Sequence, residues 1–357
     1  MNSTSEQLRT ALDGLLEGLP PRRLTAAVER LMAQYRAPAG AAAAPPRSAP
    51  ILRDRADVAA YAAYRMPATF AAVRAALRHL AARLPGWTPA GQLDIGGGTG
   101  AAVWAAAGAW PGEDGRRRPV TVLDWAGPAL ELGRELAAGA ADPVVRGARW
   151  QRLRLTGDAS AELPGAELVT VSYVLGELPE EAREALAVRA ARAAGPAGAV
   201  VLVEPGTPDG YRRIRAARER LLAGGMTVLA PCPHGGPCPI GADGRDWCHF
   251  AARTARSALH RRVKGAELAW EDEKFSYVAA AGPELAGRGR GRGDGNGDGE
   301  ASGRIVRRPQ QRKGQVLLDL CTAGDGLRRV TVTRRDPERY RAARDTAWGD
   351  RWPRPGG

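Results

Sequence analysis

The sequence predicts an α/β fold: a largely parallel sheet with helices on both faces, preceded by a helical N-terminal region and carrying a cysteine-bearing insertion. Three observations predict it. From residue 91, short apolar runs alternate with helical segments, the pattern of strands buried on both faces and joined by crossover helices. The stretch QLDIGGGTG sets Gly96, Gly98 and Gly100 at alternate positions between a strand and a helix. Three of the 4 cysteines fall within APCPHGGPCPIGADGRDWCHF, from Ala230 to Phe250.

Taken in order, Leu8, Leu12, Leu15, Leu16, Leu24, Val28 and Leu31 recur at helical spacing and break at LPPRR, which predicts a helical hairpin over 1–36. APAGAAAAPPRSAP has no periodicity and reads as a linker over 37–50, and a second helical region follows over 51–90. A core over 91–210 carries strands at Gln92–Ile95, Val120–Asp124, Trp150–Leu153, Leu168–Ser172 and Ala199–Glu204. A basic, cysteine-bearing insertion occupies 211–274. Closing strands are expected within 275–357, at Phe275–Ala280, Val316–Leu320 and Val330–Thr333, ahead of a C-terminal tail. Between the first two, the glycine-rich run 286–303 holds too little apolar surface to fold and is expected to be disordered.

At 44% hydrophobic residues the chain is globular, and no apolar run of about 18 residues suggests a membrane span, so no membrane partner is expected. The first residues are acidic early and lack a basic start followed by an apolar core, so no secretory signal is expected and a cytoplasmic location is. Thiols there stay reduced, which favours metal or catalytic cysteines over disulfides. The net charge of +13 points to a polyanionic partner, although with three lysines among 52 basic residues much of the arginine usage reflects composition.

Glycines at 96, 98 and 100 let the backbone turn sharply and approach a ligand with no Cβ in the way. The D-x-G-x-G-x-G spacing beginning at Asp94 resembles the first motif of class I S-adenosylmethionine-dependent methyltransferases, a Rossmann-like fold. The resemblance implies that Asp94, Gly96, Gly98 and Gly100 hold the amino-acid end of that cofactor. Asp124, ending the next strand, stands where such folds bind the ribose hydroxyls, and Asp158 where they contact the adenine. After the fourth strand, SYVLGELPEE lacks the Asn or Asp, prolines and aromatic of enzymes that methylate amino groups on bases. Ser172, Tyr173 and Glu177 are the weak catalytic candidates there, and strand-end or helix-cap roles compete with that reading.

The cysteines are Cys232, Cys238, Cys248 and Cys321, and four thiolates suit either a tetrahedral zinc site or a [4Fe-4S] cluster. Zinc would favour C-x2-C pairs, which are absent; unligated thiols are the third possibility. His234 and His249 are candidate substitutes for one cysteine. Prolines 231, 233, 237 and 239 would restrict the loop in advance.

VLVEPGTPDGYRRIRAARERLL, LAPCPHGGPCPI, DWCHFAARTARSALHRRVKG, EDEKFSYVA, RIVRRPQQRKGQVLLDLC and VTVTRRD together resemble the methyltransferase-like family of small-ribosomal-subunit assembly proteins. The resemblance runs from about Tyr61 to the C-terminus and implies a [4Fe-4S] cluster on the four cysteines, with the small ribosomal subunit or its precursor and its rRNA as partners. DNA is not expected. Lacking a transit peptide, the chain is expected not to be mitochondrial. Arg212, Arg213, Arg215, Arg218 and Arg220, the basic run RIVRRPQQRK, and LHRRVKG just beyond the third cysteine are the segments expected to meet RNA phosphates.

Overall fold

In the computed structural model the described residues are 3–16, 20–36, 55–111, 118–155, 162–241, 246–258, 261, 267–290 and 303–353. The linker 37–50, Asp158, most of LHRRVKG and most of the glycine-rich run (291–302) lie outside them.

The N-terminal periodicity folds as α1 (Thr4–Leu16) and α2 (Pro21–Arg36), followed by the long α3 (Arg55–Ala81). Leu24, Ala27 and Val28 of α2 bury against Ala60, Ala63 and Tyr64 of α3, while Leu8 and Leu12 of α1 join the main core beside Trp104.

Strands shielded on both faces need apolar residues at nearly every position, and LVTVS and AVVLVEP meet that demand. The strands are β1 (Gln92–Ile95), β2 (Val120–Asp124), β3 (Arg149–Arg152), β4 (Leu168–Ser172), β5 (Ala199–Pro205), β6 (Thr227–Ala230), β7 (Phe250–Ala255) and β8 (Trp270–Ala281). They form one sheet in the order β3-β2-β1-β4-β5-β8-β6, with β7 paired to β8. The first five run parallel. β8 is antiparallel to β5 and β6 through its second half and to β7 through its first.

Between the strands run α4 (Ala101–Ala109), α5 (Gly127–Ala138), the short α6 (Pro143–Arg146), α7 (Glu180–Ala194) and α8 (Pro208–Ala223). One apolar core gathers α3, α4 and α5 on one face of the sheet. A second gathers α7 and α8 on the other. This is the Rossmann-like methyltransferase architecture the glycine motif implied.

The closing strands depart from expectation. Of the three extended segments, Phe275–Ala280 alone enters the large sheet, as part of β8. The other two fall in a separate five-stranded antiparallel sheet of β9 (Gly303–Ile305), β10 (Gln310–Arg312), β11 (Gln315–Thr322), β12 (Gly326–Thr333) and β13 (Arg351–Trp352). This sheet has its own core, with Val316, Leu318, Leu320, Val330 and Val332 facing Ala343 of the helix Pro337–Arg344. Alternation produced the separation: one face of β11 is apolar, so it needs a cover on one side only. The ends of the segment expected to be disordered depart as well: 286–290 finish the helix Pro283–Arg290 and Gly303 opens β9.

Candidate functional site

Strand order reverses between β1 and β4, and in open α/β sheets the crevice beyond that switch point receives ligands. The glycine loop leaves β1 there. Gly96, Gly98 and Gly100 take φ of +66°, +52° and +84°, a region costly for residues with a Cβ. Two are also sterically required: a Cβ on Gly96 would stand 2.2 Å from Val174 Cγ2, and one on Gly100 2.5 Å from Trp150 Cη2. At Gly98 the nearest atom would be Asp124 Oδ2 at 3.7 Å, so the tip of the loop faces open space.

Asp94 and Thr170 are register partners on β1 and β4, and Thr170 Oγ1 donates to Asp94 Oδ1 at 2.7 Å. Gln92 Nε2 donates to Thr170 Oγ1 at 3.2 Å and to the Ala102 carbonyl at 3.3 Å, tying this polar row to α4. Asp94 is 0% exposed, and its Oδ2 has no hydrogen-bond partner. Burial pushes its carboxyl up to about 7, against the pull of the Thr170 hydrogen bond. Asp124 accepts from the amides of Gly98 (2.9 Å) and Ala126 (2.8 Å), which hold the loop tip and the start of α5 together. Burial raises its carboxyl while those amides hold it down.

Across the crevice, Tyr173 follows β4 with φ +61°, the one non-glycine at positive φ among the described residues. Its hydroxyl donates to Glu273 Oε1 at 2.9 Å, Arg65 Nη2 lies 3.2 Å from the same oxygen, and the guanidinium carbon sits 5.6 Å from the Tyr173 ring centre. Glu204, 1% exposed, accepts from the Leu175 amide at 2.9 Å and from Arg213 Nε at 2.7 Å, fixing the turn after β4 to α8. Glu177 is open at the rim. The charges of Asp124 and Glu204 near it favour its protonated form. Ser172 is half-buried at the end of β4. Sequence reasoning missed Glu273, Arg65 and Thr170; the threonine in the middle of the run LVTVS was the one available signal.

The cysteines converge from two sheets. Cys232 and Cys238 lie in the loop after β6, Cys248 precedes β7, and Cys321 lies in β11. All four are free thiols. Cys238, Cys248 and Cys321 pack around Tyr211, Ile240, Val306 and Trp247. Tyr211 donates to the Ile240 carbonyl at 2.7 Å and stands 3.2 Å from Cys238 Sγ, and His234 Nε2 is 3.6 Å from Cys321 Sγ. Burial first, then the neighbouring thiols Cys232, Cys238 and Cys321, push the Cys248 thiol well up. Burial and the charges of Cys232 and Cys238 take Cys321 up to about 12. Burial also raises Cys232, against the pull of Arg218. Among the described residues, however, no group of three or more His, Cys, Asp or Glu side chains is gathered closely enough for a metal ion. The expected metal-bearing insertion is seen as a cysteine loop, without such a centre.

Two buried arginines brace that loop. Arg218, 4% exposed on α8, donates through Nη2 to the carbonyls of His234 (3.0 Å) and Gly236 (2.7 Å). Arg304, 5% exposed on β9, donates to the carbonyls of Pro231 (2.8 Å) and Gly349 (2.7 Å). Of the five α8 arginines expected to meet phosphate, Arg218 is thus buried and committed to the loop. Arg213 pairs with Glu204, Arg212 with Asp209, Arg215 with Glu219 at 3.6 Å and Arg220 with Glu184 at 2.5 Å. In the second basic run, Arg307 pairs with Asp246 and Arg308 with Asp272 at 3.4 Å. Asp209 and Glu219 lie on α8 itself, but a count of charges along the chain could not see Glu204, Glu184, Asp246 and Asp272 arriving from elsewhere.

Residues 55–353 match the family described as mitochondrial small ribosomal subunit Rsm22. The human mitochondrial ribosome assembly protein METTL17 is 29% identical over 310 residues, 82% of this chain and 62% of its own length. A fission-yeast mitochondrial Rsm22-cox11 tandem protein is 29% identical over 184 residues, 44% of this chain and 24% of its own. The chain thus spans about three fifths of the first relative and a quarter of the second. Among solved structures, the magnesium protoporphyrin IX methyltransferase of Synechocystis bound to SAH matches at 14% identity with a TM-score of 0.37, over 60% of this chain and 83% of that one. A putative RNA methyltransferase of Pyrococcus horikoshii matches at 13% identity and TM-score 0.37, over 58% and 83%. The family and both relatives are described as mitochondrial, which overturns the expected cytoplasmic, non-mitochondrial location.

Proposed function

The chain belongs to the Rsm22 family of the mitochondrial small ribosomal subunit, and from that premise we propose that it binds S-adenosylmethionine and acts on the small ribosomal subunit or its precursor during assembly. The glycine loop carries this reading: three left-handed glycines at the switch point, beside a buried carboxylate oxygen that has no partner. Asp94, Gly96, Gly98 and Gly100 would hold the amino-acid end of the cofactor and Asp124 the ribose; the adenine contact falls to Asp158, outside the described residues. The cofactor supplies a methyl group already activated on a sulfonium cation. Asp94, Asp124 and Glu177, once ionised, would give the crevice a negative field that suits that cation, and the cation in turn would favour their ionised forms.

Methylation of rRNA is the reaction such a pocket supports, with the crevice orienting an acceptor toward the methyl so that positioning supplies most of the acceleration. Ser172, Tyr173 and Glu177 line the acceptor side. One observation favours a second reading, an assembly factor that keeps the pocket without catalysis: the Tyr173 hydroxyl is donated to Glu273 and its ring is covered by Arg65.

We propose further that Cys232, Cys238, Cys248 and Cys321 hold a [4Fe-4S] cluster. Zinc, with Zn–S bonds of about 2.3 Å, draws its ligands to a point, whereas a four-iron cluster spreads its thiolates. The convergence of the cysteines from the loop after β6, the approach to β7, and β11 around Tyr211, Ile240 and Val306 supports this reading. Bound there, it would join the loop after β6 to the second sheet.

The test is methyl transfer from labelled S-adenosylmethionine by anaerobically purified protein to small subunits and their precursors from cells lacking the gene, with Asp94→Ala as the control. Label on the RNA that vanishes with the variant establishes the methyltransferase. Absent label, with the protein still bound to precursors, leaves the non-catalytic assembly factor. Absent binding sinks both.

A further inference from the structure

With the arginines of α8 engaged, the remaining cations concentrate elsewhere. The β10–β11 hairpin pairs Arg312 with Gln315, and β11 pairs Gln315 with Thr333 of β12. Just past these rows, the Arg334 amide donates to the Gly314 carbonyl at 3.2 Å, so Arg334 and Arg335 lie beside the Lys313–Gly314 turn. Arg312, Lys313, Arg334 and Arg335 are all exposed at this end of the second sheet. No described carboxylate stands within ion-pair distance of any of them. Arg312 reaches Gln310 at 3.5 Å and Arg334 lies over the Tyr340 ring at 5.7 Å. The nearest acid in sequence, Asp336, accepts from the Arg339 amide at the start of the helix Pro337–Arg344.

Register fixes which face continues from this cluster. Val316, Leu318 and Leu320 point into the sheet's core, so Gln315, Leu317 and Asp319 lie on the opposite face. Their cross-strand partners share it: Arg312 and Gln310 from β10, and Thr333, Thr331 and Arg329 from β12. The single acid there, Asp319, is held by both arms of Arg329 at 2.7 and 3.0 Å. At its far end the same face carries Cys321, which packs on the cysteine loop. The free half therefore offers four unpaired cations and then a row of amides and hydroxyls.

We propose that this free half of the second sheet is the RNA-docking surface of the protein, its cations meeting the phosphodiester backbone and its Gln and Thr side chains the adjoining phosphates and sugars. The inference rests on the ribosomal reading above and names where contact occurs. Point charges on mobile stems followed by short polar side chains are the inventory that positions nucleic acid without reading sequence. Because the register places cations, amides and hydroxyls together on this face, affinity should depend steeply on salt.

The test measures binding of the full-length protein to small-subunit rRNA from about 50 to 300 mM salt. Wild type is expected to bind with a steep salt dependence. Arg312→Ala/Lys313→Ala/Arg335→Ala should bind more weakly and lose about 2 from the slope of log K against log salt, at roughly 0.7 per lost contact. Lysine at 312 and 335 should recover most of the affinity, because phosphate needs the charge. Arg212→Ala/Arg215→Ala on α8 should match wild type. An unchanged slope in the triple variant overturns this inference alone, as does loss of subunit binding with naked-RNA binding intact, which would make the surface a protein contact. Failure of wild type to bind rRNA overturns the RNA partner and this surface together.

Discussion

At Asp94 a carboxylate is enclosed in the protein with one oxygen satisfied by Thr170 and the other by nothing, and this has a consequence for stability. Its carboxyl titrates near 7 in the fold against an ordinary 3.8. The folded state holds the proton more tightly, so stability falls as pH rises from about 4 to 7 and stays reduced above. Asp94→Asn should therefore stabilise the cofactor-free protein at pH 8, by no more than about 4 kcal/mol in denaturant melts, and the gain should vanish near pH 4. Added S-adenosylmethionine should stabilise wild type and not the variant; equal stabilisation would remove Asp94 from the binding site. The glycines separate in the same way. Gly100→Ala meets Trp150 and should cost about 1–3 kcal/mol in denaturant melts. Gly98→Ala has room and should cost about 1 kcal/mol while sharply weakening cofactor binding measured by calorimetry.

Among the elements, α8 shows where reading a sequence succeeds and where it stops. The spans of β1, β2, β4 and β5 were legible because burial on both faces leaves largely apolar runs, whereas of α8 the arginines were what the sequence displayed. The second sheet was not recognised as separate, because strands such as QQR and GRI carry no apolar run and are defined by their partners. The glycine loop was legible from spacing, whereas Glu273 was hidden in EDEKF, which reads as a solvated stretch. Arg218 was misread for a similar reason: the charge is evident along the helix, and the carbonyls that consume it come from residues 234 and 236. Arg218→Met should strand those carbonyls and cost about 1–3 kcal/mol. Limited proteolysis should then cut first within 231–241. The exposed Arg212→Ala should change stability by less than about 0.5 kcal/mol, and equal effects of the two would refute the bracing role.

For the molecule as a whole, the question is what makes two sheets behave as one. Each has its own apolar core, and the shared packing around the cysteines is a small cluster of Tyr211, Ile240, Val306 and Cys321. Beyond that cluster, Arg304 reaches from β9 to the carbonyl of Pro231. Arg308 also pairs with Asp272 of β8 and Arg307 with Asp246, while Trp348 packs on His249 and on Phe250 of β7, so a group held by the four thiols would add to contacts the two sheets already make. Three cysteines come from the segment between β6 and β7 and the fourth from β11, so a bound cluster is a covalent bridge between the two sheets. Removing iron with a chelator, or changing Cys248 to Ser, should split one unfolding transition into two, with the second sheet and residues 231–250 melting or being cleaved before the large sheet. The glycine loop sits on β1 and β4, away from the bridge, so cofactor binding should outlast the cluster. RNA binding at the far end of the second sheet should weaken with it. A variant that kept wild-type protease resistance and a single transition would show that side-chain packing alone joins the sheets.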